Sequence, residues 1–380
     1  MPTPGQREAL ARAFGCARVV FNDGLRVRQE AHLAGMPYIS DTDLQKLVIT
    51  AARRTAERAW LAEVSSVVLV QALRDLHVAY RNFFSSVTGV RKGPAVAPPC
   101  FRSKRDARQS IRFTADGFTL RPDGKLYVAK VGELEVRWSR PLPSPPTSVT
   151  VTVDAAGHYW ASFVVDTEPE PLPEQEAETG IDFGLAHFAV LSDGRTVDTP
   201  RFLRQAERKL KRLQRALSRC EKGSTNRSKA RKRLARQHAR VADRRRDWHH
   251  KESTRIIREN QAVFVEDLAV SGTGRTRPGK STYDAGRSQF VRMLEYKAAK
   301  HGRTFGRTGR SDPTAQVCSV CGAKDGPELS PVRHWTCTAC DTVHDRDVNA
   351  ARNILAAGRA DRLNASWSAG RTGRCSGAAR

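Results

Sequence analysis

Four of the eight cysteines fall in the pattern Cys318-x2-Cys321-x15-Cys337-x2-Cys340. Each Cys-x-x-Cys turn sets two sulfurs on one side of a knuckle. Two knuckles supply the four thiolates that Zn2+ takes tetrahedrally, at about 2.3 Å per sulfur. A redox dithiol would account for one pair but not for two. A four-thiolate set leaves no open coordination position, so one Zn2+ held there is structural rather than catalytic. His334 and His344 lie nearby, but a complete cysteine set makes them spare. Cys16, Cys100, Cys220 and Cys375 are scattered, which suits a metal protein in a reducing compartment and not a disulfide framework.

Three acids stand where secondary structure ends. Asp182 lies in an otherwise apolar strand flanked by glycines, in Gly180-Ile181-Asp182-Phe183-Gly184. An Asp there is disfavoured by strand propensity and costly if buried alone. Glu266 follows the buried run Ala262-Val263-Phe264-Val265. Asp345 and Asp347 stand immediately before a helix over 348–355, and Asp347 can sit near its N-terminus. Acids gathered from three elements repel one another unless a cation neutralises them. A Mg2+ pair about 3.5–4 Å apart would do so, activating water and stabilising a leaving oxygen in phosphodiester hydrolysis. Each acid also has a plain alternative: a bulge residue for Asp182, an ion-pair partner for Glu266, an N-cap for Asp347. Spacing alone does not show that they converge.

Charge is the third signal. Lys plus Arg is 65 and Asp plus Glu is 40, so 65 − 40 gives +25. Such an excess points to a polyanion, with nucleic acid first and an anionic membrane second. Between Arg201 and Arg258 there are 22 Lys or Arg and five acids. Like charges at i,i+4 destabilise a free helix, so a phosphate backbone is the partner that relieves them. The candidate contacts are Lys211, Arg212, Arg215, Lys229, Arg231, Lys232, Arg233, Arg244, Arg245 and Arg246. No apolar run approaches a membrane span, and Met1–Leu10 has no signal-peptide core. A cytoplasmic protein is expected.

These residues need elements to hold them. Residues 1–90 read as helical, with a cap at Ser40 or Asp41 before Leu44 and an apolar stripe from Trp60 to Phe84 read as core. Residues 110–166 change to strand period and suggest a small, barrel-like antiparallel β domain. Thr167–Glu178 is a Pro- and Glu-rich linker. A strand unit over 179–199 precedes two helices: Leu203, Ala206, Leu210, Leu213 and Leu217 stripe the first, and Ala230, Leu234, Val241 and Trp248 the second. They read as an antiparallel hairpin. A Gly- and Arg-rich loop over 271–286, a helix over 289–299, the cysteine module and a last helix over 348–356 follow. The remainder reads as a disordered basic tail.

This combination resembles the TnpB (OrfB-type) transposon-encoded nucleases, which are related to the type V CRISPR effectors. The match is carried by the Gly180–Gly184 string, Val265-Glu266-Asp267-Leu268, the four-cysteine ribbon and His344-Asp345-Arg346-Asp347-Val348-Asn349-Ala350-Ala351-Arg352-Asn353-Ile354-Leu355. Pro2-Thr3-Pro4-Gly5-Gln6 and Phe14-Gly15-Cys16-Ala17-Arg18 are similar to the family's N-terminal helix. The resemblance implies an α/β plus small-β architecture, built on a RuvC-type (RNase H-like) nuclease domain with an inserted helical hairpin and zinc ribbon. The implied boundaries are a helical recognition lobe over 1–100, whose first residues join the wedge, and an antiparallel β-barrel wedge domain over 101–170. The nuclease domain spans 179–316 with its basic hairpin at 201–258. The ribbon spans 317–343, the last nuclease segment 344–358 and the tail 359–380.

The implied function is an RNA-guided DNA endonuclease. The resemblance makes Asp182, Glu266 and Asp347 its Mg2+-binding catalytic acids; Asp347 is chosen over Asp345 because it stands two residues before Asn349. The partners implied are a guide RNA made from the transposon end and double-stranded DNA carrying an adjacent motif, with base pairing reading the sequence. Two other readings use the same residues: a nuclease-inactive RNA-guided DNA-binding protein and a DNA transposase. The chain departs from the family at four places. It starts at Met1-Pro2, so the barrel is expected to lack a strand. Arg287 and Ser311 stand where relatives carry an aromatic, and Asp341 follows Cys340 where Gly is common.

Overall fold

The computed structural model describes residues 1–184, 186–266, 286–309, 314–327 and 332–372. The expectations for Asp267, Leu268, Ser311 and most of the 271–286 loop lie outside these residues. Two compact units divide the chain, 1–167 and 168–380.

The first unit starts where the sequence offers a full capping box. Thr3 Oγ1 accepts from the Gln6 N–H at 3.3 Å and the Thr3 N–H donates to Gln6 Oε1 at 2.9 Å, launching α1 (Pro4–Leu33). Ser40 caps α2 (Asp41–Gln45), and irregular helical turns lead to α3 (Ser66–Val87). Two three-stranded antiparallel sheets follow. They are built from β1 (Gln109–Thr114), β2 (Phe118–Leu120), β3 (Leu126–Val128), β4 (Gly132–Leu134), β5 (Ser148–Val153) and β6 (Tyr159–Val164), in the orders β1-β5-β6 and β2-β3-β4. The helices and the strands, expected as separate domains, share one core. Phe14, Phe21 and Leu25 of α1 and Leu69, Leu73 and Leu76 of α3 belong to the same buried cluster as Phe113 and Val149. The expected aromatic core stripe weakens at its end, where Phe84 is about half exposed.

The second unit is organised around a five-stranded mixed sheet. Its strands are β7 (Glu178–Asp182), β8 (His187–Leu191), β9 (Thr196–Asp198), β10 (Ala262–Glu266) and β11 (Thr304–Thr308), in the order β11-β10-β7-β8-β9. β11, β10 and β7 are mutually parallel, and β8 and β9 run antiparallel. Between β9 and β10 the chain makes the expected hairpin, α4 (Phe202–Ser218) and α5 (Thr225–Glu259); α6 (Arg287–Lys300) precedes β11. The short pair β12 (His334–Thr336) and β13 (Val343–Asp345) then leads into α7 (Arg346–Thr372).

Both faces of the sheet are covered, so β10 is apolar up to its terminal Glu266. Val263 and Val265 join Ile181, Ile256, Ile257, Phe290 and Leu294 in the cluster under α5 and α6. Ala262 and Phe264 point the other way, to Ile354 and Leu355 of α7. On that face Gly180 lets α7 touch β7: a Cβ there would stand 2.1 Å from the Ala351 carbonyl oxygen and 2.6 Å from the Leu355 nitrogen. Gly358 does the same for the Phe264 ring, which a Cβ would meet at 2.1 Å.

The last helix runs well past residue 356. Arg359 and Arg362 ion-pair with Glu178 at 2.6 and 2.7 Å, so the expected disorder from 359 does not hold as far as Thr372. Residues 373–380 of the tail lie outside the described residues. No helix of the described residues is long and apolar enough to cross a membrane.

Gly180→Ala should therefore force α7 off the sheet. An overpacked main-chain contact of this kind costs about 3 kcal/mol or more, readable as a fall in the thermal midpoint.

Candidate metal and nucleic-acid sites

Strand periodicity brings two of the acids together. Side chains two apart share a face. Asp182 therefore lies on the face of Gly180, and Glu266 on that of Ala262 and Phe264, which is the face that α7 covers. Register does the rest: Val265 stands opposite Ile181, so the next residues on these parallel strands are Asp182 and Glu266. Adjacent strands run about 4.8 Å apart.

The third acid comes from the start of α7. Asp345 Oδ1 accepts the N–H groups of Asp347 and Val348, each at 3.0 Å. Asp345 thus takes the capping role, which leaves the Asp347 carboxylate for other partners. A Cβ on Gly184 would come within 3.9 Å of Asp347 Oδ2, so Asp347 lies beside the loop that follows Asp182. Arg333 Nη1 approaches the same oxygen at 4.0 Å.

The electrostatics mark the cluster. Burial first, then the carboxylates of Asp347 and Glu266, push Asp182 up to about 7, while Arg287 and Arg346 pull the other way. Arg287 donates through Nη2 to the Gly184 carbonyl oxygen. Its own pKa is lowered by burial and raised by Asp182. Among the described residues, only the four cysteines form a group whose ligand atoms all lie within 4.8 Å of one another. The three carboxylates are spaced more widely. Their all-oxygen donor set is the kind that Mg2+ prefers.

The sulfurs of Cys318, Cys321, Cys337 and Cys340 could hold one zinc ion. Sγ of Cys318 is 3.7 Å from that of Cys340, and Sγ of Cys321 is 3.7 Å from that of Cys337. Tetrahedral zinc–sulfur bonds of about 2.3 Å put sulfurs close to this separation. Within the set the pulls are split: the hydroxyl and main-chain N–H of Thr342 hold the Cys340 thiol down to about 6, while burial pushes the Cys337 thiol up to about 12.

His344 stands outside the four-sulfur group, as expected, but packs against it. It is buried, its Nε2 lies 3.0 Å from Cys318 Sγ, and its ring packs on Trp335 with centroids 4.7 Å apart. Asp341 adopts φ +54°, the left-handed conformation that a glycine would take without strain. The ribbon is also pinned to α7. Asn349 Oδ1 accepts from the Ser319 N–H at 2.8 Å, and the amides of Asn349 and Asn353 each donate to the Val317 carbonyl at 2.7 Å. These bonds grip the residues on either side of Cys318, two residues along the helix from Asp347.

The basic hairpin presents most of its cations outward. Lys211, Arg212 and Arg215 line an open groove of about 800 Å3 on α4 together with Arg208, Lys209 and Arg219. Lys229, Arg231, Lys232, Arg233, Arg244 and Arg246 are exposed along α5. Lys211 pairs with Glu207 at 3.1 Å, and Arg246 approaches Asp243 at 3.8 Å. Arg245 differs: it is half-buried, and a Cβ on Gly286 would stand 3.2 Å from its Cδ. One pocket escaped the sequence reading. In the first unit Arg18, Arg102, Arg108, Ser103 and Gln109 line a cavity of about 260 Å3, and only the basic run over 91–109 hints at it.

Comparison with known proteins gives these sites a lineage. A family model described as "Probable transposase" matches residues 162–277, one described as "Cas12f1-like, TNB domain" matches 288–354, and a "Helix-turn-helix domain" model matches 1–35. The last of these spans a single continuous helix, α1, in this chain. A Streptomyces pristinaespiralis protein named "Putative RNA-guided DNA endonuclease" is 41% identical over 99% of this chain and 93% of its own length. The Escherichia coli K12 protein "Putative RNA-guided DNA endonuclease InsQ" is 31% identical over 94% of this chain and 90% of its own. Among solved structures, the Cas12f1 chain of a Cas12f1–sgRNA–target DNA complex superposes with a TM-score of 0.54 at 14% identity, covering 91% of this chain and 82% of that one. That likeness extends to the fold. The chain therefore belongs to the TnpB (OrfB-type) family, related to the type V CRISPR effectors.

Proposed function

We propose that this chain is an RNA-guided DNA endonuclease of transposon origin, cutting DNA with a RuvC-type (RNase H-like) site made of Asp182, Glu266 and Asp347. The observation that carries the reading is the meeting of Asp182 and Glu266 at neighbouring strand ends with Asp347 beside them, close enough to raise the Asp182 pKa. Stability alone gives no reason to crowd three acids; chemistry on a phosphodiester does. The naming of two full-length relatives as RNA-guided DNA endonucleases supports it.

In this reading the three carboxylates would hold Mg2+, and Asp345 keeps Asp347 aimed by capping α7. Bound there, the ions would activate water and stabilise the leaving oxygen. The exposed cations of α4 and α5 bind phosphate backbone, and the guide RNA and adjacent-motif DNA are the partners. One structural Zn2+ in the ribbon braces α7 through Asn349 and Asn353. The first unit serves as recognition lobe and wedge.

Asp182→Ala should abolish cleavage of a matched plasmid while the guide RNA still co-purifies; retained cutting would remove Asp182 from the site. Strand-transfer products in place of free ends would favour a transposase.

The raised Asp182 pKa gives a second prediction. The unfolded carboxyl titrates near 3.9, so between about pH 4 and 7 the unfolded chain loses its proton first and stability falls as pH rises. With EDTA present, Asp182→Asn should melt above the unsubstituted protein at pH 8, by up to about 4 kcal/mol, with the gap closing toward pH 4.

Metal analysis should find about one Zn2+ per chain. Cys337→Ser should lose it and lower nuclease activity with it.

A further inference from the structure

Among the described residues, Arg287 is a cation that the fold carries to the acid cluster. It opens α6 directly after Gly286, whose φ of +63° turns the chain sharply at that point. Gly286 is closely packed: a Cβ there would meet His249 Cε1 at 3.1 Å and Arg245 Cδ at 3.2 Å. The turn sends the Arg287 side chain to the loop after Asp182, where Nη2 donates to the Gly184 carbonyl oxygen. Gly184 is the residue beside Asp347 Oδ2. Arg287 Nε is buried and has no hydrogen-bond partner among the described residues.

A guanidinium half-removed from water with so few bonds needs an anion nearby. The carbonyl it reaches belongs to Gly184, two residues after Asp182 and beside Asp347 Oδ2, so these carboxylates are the anions at hand. Arg346 and Arg333, from the start of α7 and the residue before β12, add positive charge on the Asp182 and Asp347 sides. A neutral residue at position 287 would supply none.

We propose that Arg287 is a built-in counterion of the acid site, a positioning residue that holds the carboxylates against their mutual repulsion and thereby weakens their hold on divalent cations. The inference rests on the reading of Asp182, Glu266 and Asp347 as cation ligands. The carboxylates, when ionised, carry −3, which Arg287, Arg346 and Arg333 partly offset, so neutralising Arg287 makes the cluster one charge more negative toward an arriving cation. The consequence is a site that remains assembled at low divalent concentration and fills only at higher concentration.

The test is Mn2+ binding by the purified full-length protein, followed as free Mn2+ by electron paramagnetic resonance, with zinc content and circular dichroism checked for each variant. Asp182→Asn should remove the Mn2+ site. R287M and R287W, both neutral, should bind Mn2+ about tenfold more tightly than the unsubstituted protein, as expected for one charge at a partly buried site. R287K, which keeps the charge and loses the guanidinium fork, should stay near the unsubstituted value. One folded neutral variant suffices. If R287M and R287W bind no more tightly while Asp182→Asn still abolishes the site, the counterion role is wrong and the acid site stands. If R287K matches the neutral variants, the Gly184 contact and not the charge is responsible, and the proposal also falls. If the unsubstituted protein shows no Asp182-dependent Mn2+ site, both readings fail together.

Discussion

The second unit depends on a place where two backbones touch. Gly180 has no side chain, so the turn of α7 at Ala351–Leu355 lies directly on β7. That contact sets how far the helix stands from the sheet, and with it where Asp347 ends up relative to Asp182 and Glu266. Gly358 repeats the device a little further along, making room for the Phe264 ring. A larger residue at either position would collide with what lies against it, the α7 main chain at Gly180 and the Phe264 ring at Gly358. Apolar burial around Ile354 supplies adhesion, while the glycines supply the distance.

Against that packing stands an electrostatic cost. Asp182 is held where burial and two like charges oppose its ionisation. The surrounding structure offsets the cost in several ways. Arginines stand on three sides, and Asp345 spends its own carboxylate on the helix cap. The ribbon adds a mechanical brace, because its first knuckle is hydrogen-bonded to α7 just beyond Asp347. The zinc module and the acid cluster, far apart in chemistry, thus share one helix.

Much of this was legible in the sequence. The Cys-x-x-Cys spacing identified the ribbon, because ligand geometry is local and the sulfurs need only two turns to meet. The leucine stripes of 203–217 gave the hairpin. Alternation even contained the face of each acid: Gly180-x-Asp182 and Ala262-x-Phe264-x-Glu266 are period-two patterns, and only the register between the strands was missing. What stayed hidden depends on contacts between distant residues. His344 looked surplus because nothing in its spacing shows that its ring reaches Cys318. Arg245 looked like its exposed neighbours in Arg244-Arg245-Arg246, yet helix phase turns it inward toward Gly286. The shared core of the helices and strands in the first 167 residues was read as two domains, since composition changes near residue 100 while packing does not. The last helix was cut short because Gly- and Arg-rich sequence looks disordered until Glu178 is seen to pair with Arg359 and Arg362.

The order of the elements along the chain has a genetic consequence. The sheet and the basic hairpin are encoded before the ribbon, and α7 with Asp347 comes after it. A frameshift or premature stop anywhere in the ribbon would leave both strand acids and every hairpin cation in place. It would remove the helix that closes over them. Because α7 also covers the Gly180, Ala262 and Phe264 face of the sheet, such a truncation would lay that apolar face open at the same stroke as it takes away the third acid.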